Sequence, residues 1–226
     1  MPRLKPAELE TRNREIIVAA RRCFLRNGFH QTTTDDICRE ASITPGGLYH
    51  YFGSKEEIIA AVIEDVAQEA VTTLGSLVQQ SADTRSSVRA LVSVFSQSLR
   101  DPDLDTATRL DVEIWAETLR NEKLAEITRR GWAMRRQWLE SLIERAKADG
   151  VYSQEVDSNG LANLIMTMWL GLRLGRVLWR EDFNVDATLD ALFLMHSGRL
   201  TQTDVMQPLT SAAPSDGAGG EAGLNF

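Results

Sequence analysis

Covalent cross-links and metal ligands are scarce in this chain. It has two cysteines, Cys23 and Cys38, in 226 residues, too few for a disulfide framework and in keeping with a reducing compartment. Its three histidines, His30, His50 and His196, lack the spacing of metal ligands. A glycine-rich phosphate loop, a nucleophile elbow and a zincin helix are all missing. With no nucleophile–base pair in view either, the sequence argues against an enzyme and against a resident metal or cofactor. The N-terminal stretch MPRLKPAELETRNR has no apolar core of the kind a secretory signal needs. The longest apolar run, Leu161 to Leu172, is interrupted by Asn163 and Thr167 and closed by Arg173, so no membrane span is expected and the chain reads as cytoplasmic. Proline is rare too. Pro2, Pro6, Pro45, Pro102, Pro208 and Pro214 all lie where they would not break a helix interior.

What is present is the balance of a soluble globular protein, 43 % apolar and 25 % charged. The formal net charge of −7 argues weakly against a nucleic-acid binder, but the charge is unevenly spread. Residues 1–60 hold nine basic and eight acidic side chains, and the remaining 166 hold 16 and 24. The first segment is the only part that phosphate would not repel.

Helical periodicity dominates, and no alternating run of β-branched residues suggests a strand. A first helix is expected from about Ala7 to Asn27, with Ile16, Ala20 and Phe24 on one face and Gly28 as its stop. A second follows the Thr32-Thr33-Thr34 run, where a threonine can cap and Asp35 and Asp36 suit the positive end. A third has Thr44 as cap and Pro45 at its first position. Longer helices are expected over 55–80, 84–100, 104–119, 121–148, 158–181 and 185–198. The fold expected is all-α, about nine helices. A three-helix unit spans 1–54, a larger helical bundle 55–200, and the stretch 201–226 has the composition of a disordered tail.

The second and third helices, joined around Ser42-Ile43, form a helix-turn-helix with the third in the recognition position. A helical wheel puts Leu48, Tyr51 and Phe52 toward the core and Gly46, Tyr49, His50 and Gly53 away from it. Two glycines let a phosphate backbone come close, and Tyr and His can donate to it. Lys55, opening the next helix, adds a cation.

The stretch GFHQTTTDDICREASITPGGLYHYFGSKEEII resembles the DNA-binding region of the TetR family of bacterial transcriptional regulators, from about Ile16 to Val62. The resemblance implies DNA contacts from Thr34, Thr44, Pro45, Gly46, Gly47, Tyr49, His50, Tyr51 and Lys55. Pro45 stands where many members have a polar residue, and Gly47 offers no side chain to read a base. Base readout by the third helix is therefore thin, leaving sequence choice to Thr44, Tyr49 and DNA shape.

The C-terminal part, including RLDVEIWAETLRNEKLAEITRRGWAMRRQWLESLIERAKADG and MTMWLGLRLG, resembles the BetI-like branch of that family. Its apolar and aromatic inventory suits a pocket for an unidentified small-molecule effector. The candidate lining residues are Phe95, Trp115, Met134, Trp138, Met166 and Trp169, with Glu113, Glu117 and Arg173 as polar groups. An aromatic cage for a quaternary amine is one form such a pocket would take. Ordinary core packing is the competing reading of each tryptophan. The resemblance also implies a homodimer through the last two long helices, where Gly171, Leu172, Gly175, Leu189, Leu192, Phe193 and His196 form the candidate interface; packing of the glycines within the subunit is the alternative. The implied function is a homodimeric repressor on palindromic double-stranded DNA, released by the effector. The alternative is a dimeric interaction protein whose helix-turn-helix has lost DNA affinity.

Overall fold

The computed structural model describes residues 6–197, all-helical apart from turns and connections, with no strand among them. The expected tail, 201–226, lies outside the described residues. The chain separates into a body that ends at Phe183 and a second unit that begins at Asn184.

In the body, α1 (Pro6–Gln31) buries Ile16, Ala20, Cys23 and Phe24 on one stripe. Its regular course ends where the sequence places the stop: Gly28 has φ 74° and ψ 172°, outside the helical region. Beyond that kink Phe29 folds back edge-on against Phe24, ring centroids 4.7 Å apart. The three threonines that follow have separate tasks. Thr32 is buried and donates its hydroxyl to the Gly28 carbonyl at 2.8 Å. Thr33 caps α2 (Thr34–Glu40), accepting from the Asp36 N–H while the Asp36 carboxylate accepts from the Thr33 N–H. Such a reciprocal box satisfies two otherwise orphaned donors. Thr34 is the first helical residue.

The turn to α3 (Pro45–Tyr49) passes through Ser42 at φ 52°, a left-handed conformation that a glycine adopts at less cost. Thr44 caps α3 by accepting from the Gly47 N–H at 3.1 Å, and Pro45 occupies N1, where its missing N–H costs nothing. Then come α4 (Lys55–Gln79), α5 (Thr84–Leu99), α6 (Leu104–Thr118), α7 (Glu122–Ala148) and α8 (Ser158–Trp179), with a 3-10 turn over Arg180–Asp182. Ser54, Asp83, Asn121 and Asp157 cap α4, α5, α7 and α8 with their side chains. In the second unit α9 (Val185–His196) is capped by Asn184.

Two apolar clusters hold the body. One joins α1, α2, α3 and the first two turns of α4 to Leu110 and Ile114 of α6 and Leu124 and Ile127 of α7. The other joins Leu91 of α5, Leu139, Leu142 and Ile143 of α7 and Ala162 of α8. At the α4–α7 crossing Gly131 comes so close that a Cβ on it would lie 2.7 Å from the Ala67 methyl.

Length alone does not set this helix apart from a membrane span. The helix containing Leu161 to Leu172 continues to give a 25-residue stretch, Ser158–Asp182, long and apolar enough by length and composition to span a bilayer. Two of its three arginines are engaged with neighbouring helices: Arg173 pairs with Asp111 at 2.6 Å, and the Arg176 Nε donates to the Leu99 carbonyl at 3.2 Å. A helix tied to its neighbours by charged groups at these positions is a bundle helix.

Candidate nucleic-acid interface and bundle cavity

Two buried side chains pin α3 to the body. Leu48 is 1 % exposed and Phe52 7 %, so the opposite face is turned outward. Tyr49 on that face is 57 % exposed, and His50 and Gly46 are exposed beside it. A Cβ on Gly46 would meet nothing within 4 Å, so the absent side chain leaves a clear approach for another surface. Gly47 is half-buried, and a Cβ there would come 3.3 Å from the Thr44 hydroxyl that caps the helix. Tyr51 is half-buried against the core and lies edge-on to His50, centroids 5.5 Å apart. It thus braces the imidazole from behind. Thr44 and Pro45 are exposed at the helix start. Thr34 is half-buried at the start of α2. Lys55 is half-buried, and its Nζ donates to the His30 carbonyl at 3.4 Å, leaving the ammonium two further donors. One surface of the helix-turn-helix therefore presents a phenol, an imidazole and a capped helix start, groups able to meet a phosphate backbone.

Both thiols are buried, and burial pushes each of them up from the ordinary cysteine value. They are core groups, as a small buried thiol usually is.

In the bundle a cavity of about 30 Å³ lies between α4, α6 and α7. Val66 and Ala67 form its α4 wall, Asp111 and Trp115 its α6 wall, and Trp132 and Arg135 its α7 wall. That volume suffices for one water molecule. Asp111 is pushed above the ordinary aspartate value by burial, against the pull of Arg173 and Arg135. Arg135 is pushed below the ordinary arginine value by burial.

Residues 16–62 match the family model for bacterial regulatory proteins of the tetR family, and residues 89–193 match that for the C-terminal part of BetI-type transcriptional repressors. The chain belongs to the TetR family of transcriptional regulators. The HTH-type transcriptional regulator UidR of Escherichia coli (strain K12) is 28 % identical over 162 residues, 72 % of this chain and 79 % of UidR. The HTH-type transcriptional repressor KstR2 of Rhodococcus jostii (strain RHA1) is 23 % identical over 167 residues, 72 % of this chain and 78 % of KstR2. Among solved structures, Salmonella enterica GusR is 26 % identical with a TM-score of 0.63, over 84 % of this chain and 95 % of GusR. FadR of Bacillus subtilis, in complex with stearoyl-CoA, has a TM-score of 0.65 at 20 % identity, over 82 % and 98 %; that likeness is one of fold.

Within this TetR-family bundle the expected effector residues do not converge. Trp115 lines the cavity, and Arg173 reaches its edge through Asp111. Glu113 and Glu117 are corrected: they face α1. Glu113 accepts from the Phe29 N–H at 3.2 Å, and Glu117 lies 2.9 Å from His30 Nε2. Phe95, Trp138 and Met166 pack against the second apolar cluster. Trp169 stacks on Phe95 at 4.7 Å. Met134 is exposed. The competing core reading describes those aromatics better. Sequence reasoning missed Asp111 and Arg135 as site residues, for charges on a helix usually face water.

Of the candidate interface residues, Gly171 is exposed with open space around it, and Leu172 is half-buried. Gly175 is corrected to the intrasubunit alternative, since it is buried and a Cβ there would lie 2.8 Å from the Trp179 ring. On α9, Leu189 and Leu192 are half-buried and Phe193 is exposed. His196 closes α9, and its side chain lies outside the described residues. Leu164 and Leu178, 55 % and 65 % exposed, stand seven residues either side of Gly171. That heptad spacing was legible in the sequence and marks one apolar stripe along α8.

Proposed function

We propose that this chain is a homodimeric, effector-controlled repressor that acts in the bacterial cytoplasm. Each subunit lays α3 in a major groove of a palindromic operator, the two grooves about 34 Å apart. The α8 stripe of Leu164, Gly171 and Leu178 pairs with its counterpart in the second subunit. A small molecule entering the bundle at the α4–α6–α7 cavity binds a conformer whose recognition helices are wrongly spaced. The α4 helix is the lever, because its first turns share a core with α1–α3 while Val66 and Ala67 wall the cavity.

The observation that carries the DNA reading is the outward pair Tyr49 and His50 on a helix held by Leu48 and Phe52. Tyr49→Ala with His50→Ala should abolish binding to a duplex selected by the wild-type protein from a random pool, with the dimer intact by sedimentation. Unchanged affinity in an anisotropy titration overturns this reading. The loss of DNA affinity considered above has one feature in its favour: Pro45 and Gly47 bring no donor to the groove. Salt separates the two, since a working operator complex weakens steeply as salt rises. An interaction module shows no duplex affinity even at low salt.

A further inference from the structure

Charge around the bundle cavity does not balance. Arg173 Nη1 and Asp111 Oδ2 are 2.6 Å apart, a pair formed between α8 and α6. Arg135, on α7, is a second cation in the same place. Among the described residues no carboxylate lies within ion-pair distance of it, and its Nη2 makes one long hydrogen bond, 3.4 Å, to the Val66 carbonyl. The Nε atoms of Arg135 and Arg173 are both buried without a hydrogen-bond partner. The one carboxylate here is thus taken by Arg173, Arg135 has none within ion-pair distance, and two buried N–H donors lack a hydrogen-bond partner. A buried donor left unmade is costly, more so on a charged group.

The rings nearby answer the other half of the question. The Arg135 guanidinium lies 6.0 Å from the Trp132 ring centroid, and that of Arg173 lies 5.9 Å from the Trp169 ring. Trp115 lines the cavity as well. These aromatic faces already carry cations, so a quaternary ammonium would add a third positive charge. An anion would supply the missing acceptor.

We propose that the molecule taken up here is a carboxylate on an apolar body, its oxygens accepting from Arg135 and Arg173 and its body lying against Trp115 and Trp132. This rests on the reading that the bundle takes an effector, and it names the chemical class. The cavity, about 30 Å³, is far smaller than such a molecule, so the carboxylate enters only as α7 parts from α4. Asp111 then becomes a competitor for the same two cations.

The test uses the full chain and the quenching of its tryptophan fluorescence. Octanoate and hydrocinnamate are titrated beside their primary amides and beside octyltrimethylammonium. Each carboxylate should bind at least about tenfold more tightly than its amide, and the ammonium should bind more weakly still. Arg135→Gln should bring the carboxylate down to its amide. Asp111→Asn should raise carboxylate affinity about tenfold and leave the amide unchanged, an outcome that a purely structural cluster would not give. Circular dichroism checks that each variant folds, and each substitution suffices alone if the other does not. Equal binding of carboxylate and amide, tighter binding of the ammonium, or no carboxylate binding into the millimolar range overturns the proposal. Operator release is read separately, by anisotropy of a labelled duplex. Carboxylate binding without release overturns the effector reading and leaves the chemistry of the cavity standing.

Discussion

Gly131→Ala puts a methyl group where a Cβ lies 2.7 Å from the Ala67 methyl. Carbon atoms in ordinary contact sit about 3.5–4.0 Å apart, so the two helices would have to separate by about 1 Å. Neither methyl can swing aside, because each is fixed to its backbone. Two effects compete. Alanine for glycine in a helix interior gains about 1 kcal/mol from helix propensity. Overpacking a fitted contact costs about 1–3 kcal/mol, and with no rotamer to absorb the strain the cost falls in the upper part of that range. The net expectation is a loss of about 1–2 kcal/mol, read as the urea midpoint or as a fall in Tm of about 2–4 °C per kcal/mol. The partner substitution makes the argument specific. Ala67→Gly moves the single methyl to the other helix, so the double variant should be more stable than the sum of the single effects by about 1–3 kcal/mol. A Gly131→Ala protein as stable as the wild type, or an additive double variant, refutes the close crossing.

Three other outcomes are expected. Ser42→Gly relieves the positive φ in the helix-turn-helix and should stabilise the fold by about 1 kcal/mol, with operator affinity unchanged; a lower urea midpoint would contradict the turn geometry. Glu113→Ala leaves the Phe29 N–H without its acceptor and should cost about 1–3 kcal/mol, checked by urea unfolding. Asp111 sets a pH dependence. Its carboxyl is raised by burial, so above the ordinary aspartate value of about 4 the native state holds a proton that the unfolded chain has released. Stability therefore falls as pH rises from about 4 to the raised value, and Asp111→Asn should flatten that slope. Asp36, Glu40, Asp83 and Glu144 act the other way. Hydrogen bonds hold them below the ordinary carboxylate range, and their contribution is present above it and lost on acidification.

The helices and their ends were legible because local chemistry decides them. Gly28, the Thr32-Thr33-Thr34 run with Asp35 and Asp36, and Thr44 with Pro45 each mark a boundary by backbone or capping preferences that need no tertiary knowledge. The outward face of α3 was legible for the same reason, since the period of a helix separates Leu48 and Phe52 from Tyr49 and His50. The bundle cavity was not. Glu113 and Glu117 sit on α6 at the same spacing as pocket residues would, but which way α6 faces depends on α1, and nothing within α6 reports that. Asp111, Arg135 and Arg173 come from three helices, and their meeting is a property of the packing. Arg173 was among the candidate polar groups, but Asp111 and Arg135 were not. Asp111 and Arg135 also have tryptophans one helical turn away, Trp115 and Trp132, so sequence neighbours alone do not single out the charges that meet.

The joint between the helix-turn-helix and the bundle explains why a small cavity suits the proposed switch. Residues 29 and 30, just past the kink of α1, are held from two sides: Glu113 and Glu117 of α6 reach Phe29 N and His30 Nε2, and Lys55 of α4 reaches the His30 carbonyl. The first turns of α4 are also buried in the same cluster as α1–α3. The end of α1 is thus fastened to α4 and α6 by polar contacts, and α1–α3 share a core with both; in the proposed switch the recognition helix moves with them. Ala67, at the cavity wall, lies twelve residues along α4 from Lys55, about 18 Å at a helical rise. A ligand shifts an equilibrium only as far as its affinities for the two conformers differ. A conformer whose cavity is far too small for the ligand binds it much more weakly, so much of the binding free energy is available to separate α4 from α7. An open pocket of the same chemistry would bind as well in both states and release nothing.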